Sequence, residues 1–211
     1  MKPMNPLLRV EFHCHTRFSK DSLAKPEALL DTCRKKGIDR LVISDHNTTA
    51  GARYAQRLDP ERVIVGEEIM TQAGELLAFF VEEEVPAGLP PLAAVERLKA
   101  QGAFISVSHP FDHHRQGHWT EAQLLEILPH LDAIEVFNAR CMQPQHNTQA
   151  AEFARQHNKT KVTAVHKANV LRQTDAVFMD AARKVAAEYP GIAFDNANID
   201  AMGMWLLKNP M

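Results

Sequence analysis

Residue types that bind metal ions recur along this chain directly after short apolar segments. His13 and His15 follow an apolar run that starts at Leu7, and Asp45 and His46 follow a run that includes Ile43. Three further runs lead in the same way to Glu68, His109 and Glu135. Imidazole and carboxylate groups are the usual protein ligands of zinc, manganese and iron. This recurrence predicts a polynuclear metal site at one edge of a sheet or barrel.

Each of these signals is weak when it is taken alone. His13 and His15 are two residues apart on a predicted strand, so both imidazoles point to one face. A single pair of this kind, or a histidine before a proline such as His109, is equally compatible with a buried structural role. The shared position at strand ends is what favours metal binding.

Strand-like and helix-like runs alternate through most of the sequence, which is typical of parallel α/β folds. Pro and Gly at the two ends of residues 26–37 predict a helix there. Asn47 or Thr48 is available to cap the next helix, expected to end near residue 58. Further helices are expected at 92–101, 120–128, 143–158 and 174–189. Additional strands are expected at 75–81 and 161–165, and loops at 82–91 and 112–118.

Composition excludes several broad classes of function. The 24 basic and 26 acidic residues give a net charge of −2, so general binding to nucleic acids or membrane surfaces is not expected. A small phosphorylated substrate remains compatible, because bound divalent ions supply positive charge locally. Cys14, Cys33 and Cys141 are far apart, which favours a reducing compartment over a disulfide framework. With no apolar signal or membrane-spanning run, the cytoplasm is the expected location.

The motifs that contain these residues resemble those of the PHP family, named for polymerase and histidinol phosphatase. The family pattern His-x-His-Thr-x-x-Ser-x-Asp matches His13 to Asp21, and Asp-His-Asn matches residues 45–47. Gly-x-Glu, His-Pro and Glu-x-x-Asn then follow at residues 66–68, 109–110 and 135–138. Order and spacing match over residues 7–155.

The resemblance implies a distorted, TIM-like barrel of seven β-strands with two or three Mn, Fe or Zn ions at the strand ends. It implies that His13, His15 and Glu68 bind the first ion, and that Glu68 bridges to a second ion bound by His109. His46 is then expected to bind a third ion with Asp21 as its partner. The resemblance leaves two roles open for Asp45, as a metal ligand or as a group that orients a histidine.

The resemblance also implies hydrolysis of a phosphoester by a metal-activated hydroxide. Arg17 is a candidate contact for the phosphate, because guanidinium groups bind paired oxygens, or it is a solvated loop residue. Glu135 and Asn138 either line the pocket or cap the end of a strand.

The C-terminal part departs from this pattern. PHP proteins end their last strand with Gly-Ser-Asp-Ala-His, which is absent here, and Ala164 stands where the metal-binding Asp is expected. His166 is the candidate replacement for the missing His. Residues 150–211 instead resemble the isocitrate and isopropylmalate dehydrogenase family. That resemblance implies a catalytic role for Lys167, an active-site position for Asn169 and, across a dimer interface, metal binding by Asp200.

We therefore expect a PHP metal-binding domain at residues 1–155 and a dehydrogenase-like strand and helix at 156–211, packed as the end of the barrel. The strand at 161–165 is expected to complete the barrel and the helix at 174–189 to cover it. Three functions remain open at this point. The first is a metal-dependent phosphoesterase, and the second is a metal-binding module with an impaired site. The third is a fragment that contributes to an NAD(P)-dependent decarboxylating dehydrogenase, although this sequence contains no Gly-rich cofactor loop.

Overall fold

The computed structural model describes residues 8–164, which form a mixed α/β fold of seven strands and five α-helices. The order of elements follows the predicted alternation, with β3 and β4 adjacent as an extra hairpin. The elements are β1 Val10–Cys14, α1 Pro26–Lys36, β2 Arg40–Ile43, α2 Ala50–Leu58, β3 Val63–Met70, β4 Glu75–Phe79, α3 Pro91–Ala100, β5 Phe104–Val107, α4 Glu121–Ile127, the short 3-10 helix Leu128–His130, β6 Ala133–Asn138, α5 Pro144–Gln156 and β7 Thr160–Ala164.

The strands form two sheets that meet at both margins. Strands β1, β2 and β3 are parallel, whereas β4 runs antiparallel to both β3 and β5. Strands β6 and β7 form a parallel pair. Strand β5 lies beside β6, and β7 lies beside β1. The carboxyl ends of β1, β2, β3 and β5 therefore share one edge with the amino end of β4.

Helix ends follow the signals in the sequence, with one exception. Helix α1 begins at Pro26 and ends at Gly37, whose φ of 64° suits glycine, as the sequence predicted. The expectation that Asn47 or Thr48 caps α2 is wrong, because Thr49 is the N-cap. Asn47 instead adopts a φ of 54° and accepts a hydrogen bond from the Met70 backbone at 2.8 Å. Asparagine tolerates this left-handed conformation. The hydrogen bond from Met70 therefore ties the turn after His46 to β3.

Hydrophobic packing covers both faces of the strands. Leu41 and Ile43 belong to a large cluster that includes Leu30, Leu98 and Leu124 from the helices. The alternate strand residues form a second cluster of Val42, Leu77 and Phe79, packed against Phe12, Ile64 and Phe104. This alternation is what a sheet with two covered faces requires.

The predicted strand at 161–165 corresponds to β7, which pairs with β6 and lies beside β1. The predicted helix at 174–189 lies outside the described residues, as do the expected roles of His166, Lys167, Asn169 and Asp200. Across residues 8–164, no helix combines the length and the apolar character needed to cross a membrane.

Candidate metal centre

The metal-binding residue types identified in the sequence come from several segments that end or begin at one edge of the sheets. His13 lies near the end of β1 and His15 directly follows it, while His46 follows β2. Glu68 lies in β3, and His109 follows β5. Because these four strands run in one direction, their ends bring these side chains together.

His13, His15 and Glu68 form the most buried group of the centre. The Nε2 atoms of the two histidines lie 2.9 Å apart, and each is 3.1 Å from Glu68 Oε2. All three side chains are almost fully buried. The three ligand atoms lie close enough together to hold one metal ion.

A second group shares Glu68 and includes a residue that the sequence analysis missed, Glu75. His46 Nδ1 lies 3.3 Å from Glu68 Oε2 and 3.2 Å from Glu75 Oε1. His109 Nε2 lies 3.2 Å from Glu68 Oε1 and 3.4 Å from Glu75 Oε2. His46, Glu68 and Glu75 also have the spacing of a metal-binding group.

The third group lies at the more exposed side of the centre. Asp21 Oδ1 is 3.6 Å from His15 Nδ1, and Asp21 Oδ2 is 3.7 Å from His46 Nε2. The same Asp21 oxygen accepts a hydrogen bond from Arg140 Nη1 at 3.2 Å. His15, Asp21 and His46 form the third set of atoms spaced for a metal ion.

The residues present fit divalent cations, as two observations on the histidines indicate. His13 Nδ1 donates to Glu135 Oε1 at 2.8 Å, so Nε2, which faces His15 and Glu68, is the ring nitrogen that would bind an ion. This carboxylate–histidine arrangement is typical of metal ligands. Within residues 8–164, Nδ1 of the buried His109 lacks a hydrogen-bond partner, while its Nε2 faces Glu68 and Glu75. Imidazole nitrogens and carboxylate oxygens together form a donor set for Mn, Fe or Zn.

The carboxylates of the centre favour the protonated forms of two of its histidines. Burial alone would lower the pKa of His46, but Asp21, Glu75 and Glu68 raise it to about 10. Burial also opposes the charge on His13, whose pKa the Glu68 and Glu135 carboxylates raise well above its usual range. Burial would raise the pKa of Glu68, but His13 and the other imidazoles around it hold that pKa well below its usual range.

Glu135 joins two of the histidine segments. Its Oε2 atom accepts hydrogen bonds from the His109 backbone at 2.6 Å and from Asn138 Nδ2 at 3.2 Å. His109 has a φ of 28°, a strained value for a residue other than glycine. Glu135 therefore orients His13 and stabilises the strained backbone of His109, and Asn138 contacts the carboxylate of Glu135.

Asp45 lies behind the centre rather than among its ligand atoms. Its Oδ1 accepts a hydrogen bond from the Thr16 backbone at 2.6 Å, and its Oδ2 accepts one from Thr16 Oγ1 at 2.7 Å. Both oxygens are thus directed at the segment that follows His15. Of the two roles left open for Asp45, this geometry favours the orienting one.

Arg17, the candidate phosphate contact, lies in the turn that follows His15. Its side chain is exposed, and its guanidinium carbon lies 6.0 Å from the ring of Phe18. Arg140, two residues after Asn138, contacts Asp21 at the rim of the centre. Its position depends on a contact with Asp21, 119 residues earlier in the chain, for which the sequence carries no local signal.

Sequence comparisons relate the N-terminal part of the chain to one family and its C-terminal part to another. The PHP domain matches residues 11–96, and the isocitrate/isopropylmalate dehydrogenase family matches residues 144–211. Two uncharacterised proteins of Methanocaldococcus jannaschii are similar to this chain. MJ0417 is 37% identical over 155 residues, 72% of this chain and 61% of that protein. MJ1587 is 33% identical over 145 residues, 63% of this chain and 82% of that protein.

The dehydrogenase relatives match a short segment. The 3-isopropylmalate dehydrogenase of Methanothermobacter thermautotrophicus is 46% identical over 61 residues. This match covers 29% of this chain and only 18% of that dehydrogenase.

Two solved structures share the fold. A proposed metal-dependent phosphoesterase from Bifidobacterium adolescentis superimposes with a TM-score of 0.59 at 18% identity, covering 91% of this chain and 99% of that one. An amidohydrolase from Chromobacterium violaceum, solved with bound sulfate and no metal, gives a TM-score of 0.57 at 12% identity, covering 74% and 86%. With the motif matches and the coverage of MJ1587, these findings show that the chain belongs to the PHP-domain family and carries a C-terminal segment related to isocitrate/isopropylmalate dehydrogenases.

Proposed function

We propose that this protein is a metal-dependent hydrolase that cleaves a phosphoester at the centre formed by His13, His15, His46, Glu68 and His109. The observation that carries the proposal is the convergence of four imidazoles on the single buried carboxylate of Glu68. A site that only stabilised the fold would not require so many titratable groups around one carboxylate. The likeness to a proposed phosphoesterase and membership of the PHP family support the same reaction class.

Two or three divalent ions, of Mn, Fe or Zn, fit the three groups of ligand atoms. Glu68 and Glu75 would each contact more than one ion, because each lies between two histidines. Bound ions would neutralise phosphate oxygens and lower the pKa of a bound water towards neutrality. Glu135 holds His13 in the orientation that this set requires.

We also propose that the seven strands form the distorted barrel expected for this family, with β7 as the closing strand. The support is that β7 pairs with β6 and lies beside β1, while β5 lies beside β6. A closed arrangement would leave no unpaired strand edge, which removes an aggregation hazard.

A second candidate function is a metal-binding module with little or no turnover. It is favoured by the residues of β7, which are Thr-Lys-Val-Thr-Ala and include no imidazole or carboxylate. Strand β7 therefore contributes no metal ligand of the kind expected there. Glu75 partly compensates, because it adds a carboxylate between His46 and His109.

The test combines metal content with phosphate release. Protein purified after growth with added Mn and Fe is analysed for ions per chain and assayed on simple phosphoesters. We expect at least two ions per chain and phosphate release that is lost in His13→Ala. Two bound ions without release of phosphate from any ester would favour the metal-binding module.

A further inference from the structure

Arg140 extends from the turn after β6 to the rim of the metal centre. Its Nη1 atom donates to Asp21 Oδ2 at 3.2 Å. Asp21 in turn lies 3.6 Å from a ring nitrogen of His15 and 3.7 Å from one of His46. One carboxylate therefore separates the guanidinium from two candidate metal ligands.

Hydrogen bonds fix the turn that carries Arg140. The Arg140 backbone N–H donates to Asn138 Oδ1 at 2.9 Å, and Asn138 Nδ2 donates to Glu135 Oε2 at 3.2 Å. Asn147 of α5 accepts from the Asn138 backbone at 3.0 Å and donates to its carbonyl at 3.2 Å. The arginine is thus positioned by a network anchored both in α5 and in the metal centre, which limits the loss of entropy on binding a ligand.

The guanidinium retains free donor capacity. Arginine has five N–H donors, and among residues 8–164 the side chain of Arg140 donates only to Asp21. About a third of the side chain is exposed (36%). Arg53 and Arg62, in contrast, donate to the backbone carbonyls of Val81 and Ile38. Arg140 combines a position at the centre with donors that remain available to a ligand.

We propose that Arg140 binds the phosphate of the substrate and that the substrate is a phosphomonoester. This inference rests on the function proposed above. A guanidinium binds two oxygens of one anion side by side. A terminal phosphate offers three unesterified oxygens, so two can contact Arg140 while the third faces the histidines and carboxylates. An internal phosphodiester has only two unesterified oxygens. It therefore cannot place two of them on Arg140 and a third against the histidines and carboxylates.

The experiment compares Arg140→Met and Arg140→Lys with wild-type protein loaded with Mn. The control is Arg57→Met, an exposed arginine on α2 whose guanidinium carbon lies 5.8 Å from the ring of Tyr54. KM is measured for 4-nitrophenyl phosphate and for bis(4-nitrophenyl) phosphate. Binding of inorganic phosphate is measured separately by calorimetry, with and without metal, and metal content is determined for every variant.

We expect Arg140→Met to raise KM for the monoester and the Kd for inorganic phosphate ~10- to 100-fold, as loss of a charge-assisted pair implies. Arg140→Lys should recover part of the affinity, and KM for the diester should change less. Arg57→Met should match the wild type, and all variants should retain the same metal content.

Unchanged monoester KM and unchanged phosphate affinity in Arg140→Met would overturn the assignment of Arg140. Equal losses on both esters would overturn the monoester assignment, and loss of metal would show that Arg140 acts through Asp21. A wild-type protein that cleaves neither ester contradicts the proposed function instead. In that case, phosphate binding that depends on Arg140 would still support the anion site.

Discussion

Glu68 lies within 3.3 Å of ring nitrogens of His13, His15, His46 and His109, so a single carboxylate organises the centre. Its neighbours Ser108 and Glu135 take part in the same network, since Ser108 donates to Glu68 and Glu135 accepts from His13. Ligand geometry in such a site depends on residues that touch no ion, which makes them sensitive points for mutation.

Glu135→Gln is expected to weaken metal binding ~10- to 100-fold, the usual effect of losing a group that orients a ligand. Glutamine keeps the size of the side chain, but its NH₂ group faces one of the three N–H groups that now donate hydrogen bonds to Glu135. Metal affinity is measured by competition with a chromogenic chelator. Glu152→Gln on the exposed side of α5 is the control, and equal affinities for both variants would refute the orienting role.

Metal affinity is expected to fall as pH falls. Carboxylates raise the pKa of His46 to about 10 and that of His13 well above its usual range, so both carry protons in the metal-free protein near neutrality. An ion must displace those protons, and each one displaced changes the apparent Kd by ~10-fold per pH unit. Chelator competition at several pH values tests whether metal affinity falls as pH falls. Proton release on metal binding is checked by calorimetry in buffers of different ionisation enthalpy. A metal affinity that does not change with pH would contradict this prediction.

At the scale of elements, close approach between α2 and the loop after β1 holds Asp45 in place. Gly51 is the second residue of α2, and a Cβ at this position would lie 2.1 Å from Asp45 Oδ2 and 2.4 Å from Thr16 Oγ1. The glycine is required by space rather than by backbone conformation. The helix can therefore sit directly against the Asp45–Thr16 hydrogen bonds.

Gly51→Ala is expected to destabilise the protein by ~1–3 kcal/mol, as overpacking does. The usual effect of this substitution inside a helix is a gain of ~0.5–1 kcal/mol, so the sign is diagnostic. The free energy of unfolding is measured with guanidinium chloride. Gln56→Ala, on the same helix, controls for changes in helix propensity. A more stable Gly51→Ala protein would show that α2 can move away from Asp45.

The sequence of strands and helices along the chain could be predicted because hydrophobic runs and helix signals alternate. His13, His15, His46, Glu68 and His109 could be placed at one edge because parallel strands end there. Glu75 could not, because it begins its strand, and only the antiparallel pairing of β4 with β3 puts that beginning at the same edge. Asp45 was ambiguous because a carboxylate beside a ligand has the same local sequence whether it binds metal or a hydroxyl group.

At the scale of the whole molecule, the chain places a segment matched by a dehydrogenase family within the described fold. Helix α5 and strand β7 both lie inside the match at residues 144–211. Val162 on β7 is buried at 4% exposure, and Ala150, Ala151 and Phe153 of α5 belong to the main hydrophobic cluster. The three α5 residues therefore pack in the same core as the metal-binding strands.

Val162→Asp is therefore expected to destabilise the whole protein by several kcal/mol, since it places an unpaired carboxylate at a buried position of the strand that pairs with β6. We expect loss of the cooperative thermal transition or a large drop in Tm. Thermal unfolding is measured by circular dichroism. Glu152→Ala, an exposed change in the same matched segment, should leave Tm within ~2 °C of the wild type. A wild-type Tm for Val162→Asp would mean that β7 is dispensable.

Helix α5 and strand β7 belong both to the dehydrogenase-related segment and to the fold that carries the metal centre, which bears on protein engineering. A segment related to one enzyme family supplies a helix and a strand that pack in the fold of another, since α/β folds are built from an amphipathic helix followed by a parallel strand. The turn at Asn158, where φ is 50°, sits between the two elements and away from the metal ligands. Units of this type could be exchanged between unrelated α/β folds, at the cost of any metal ligand that the replaced strand carried.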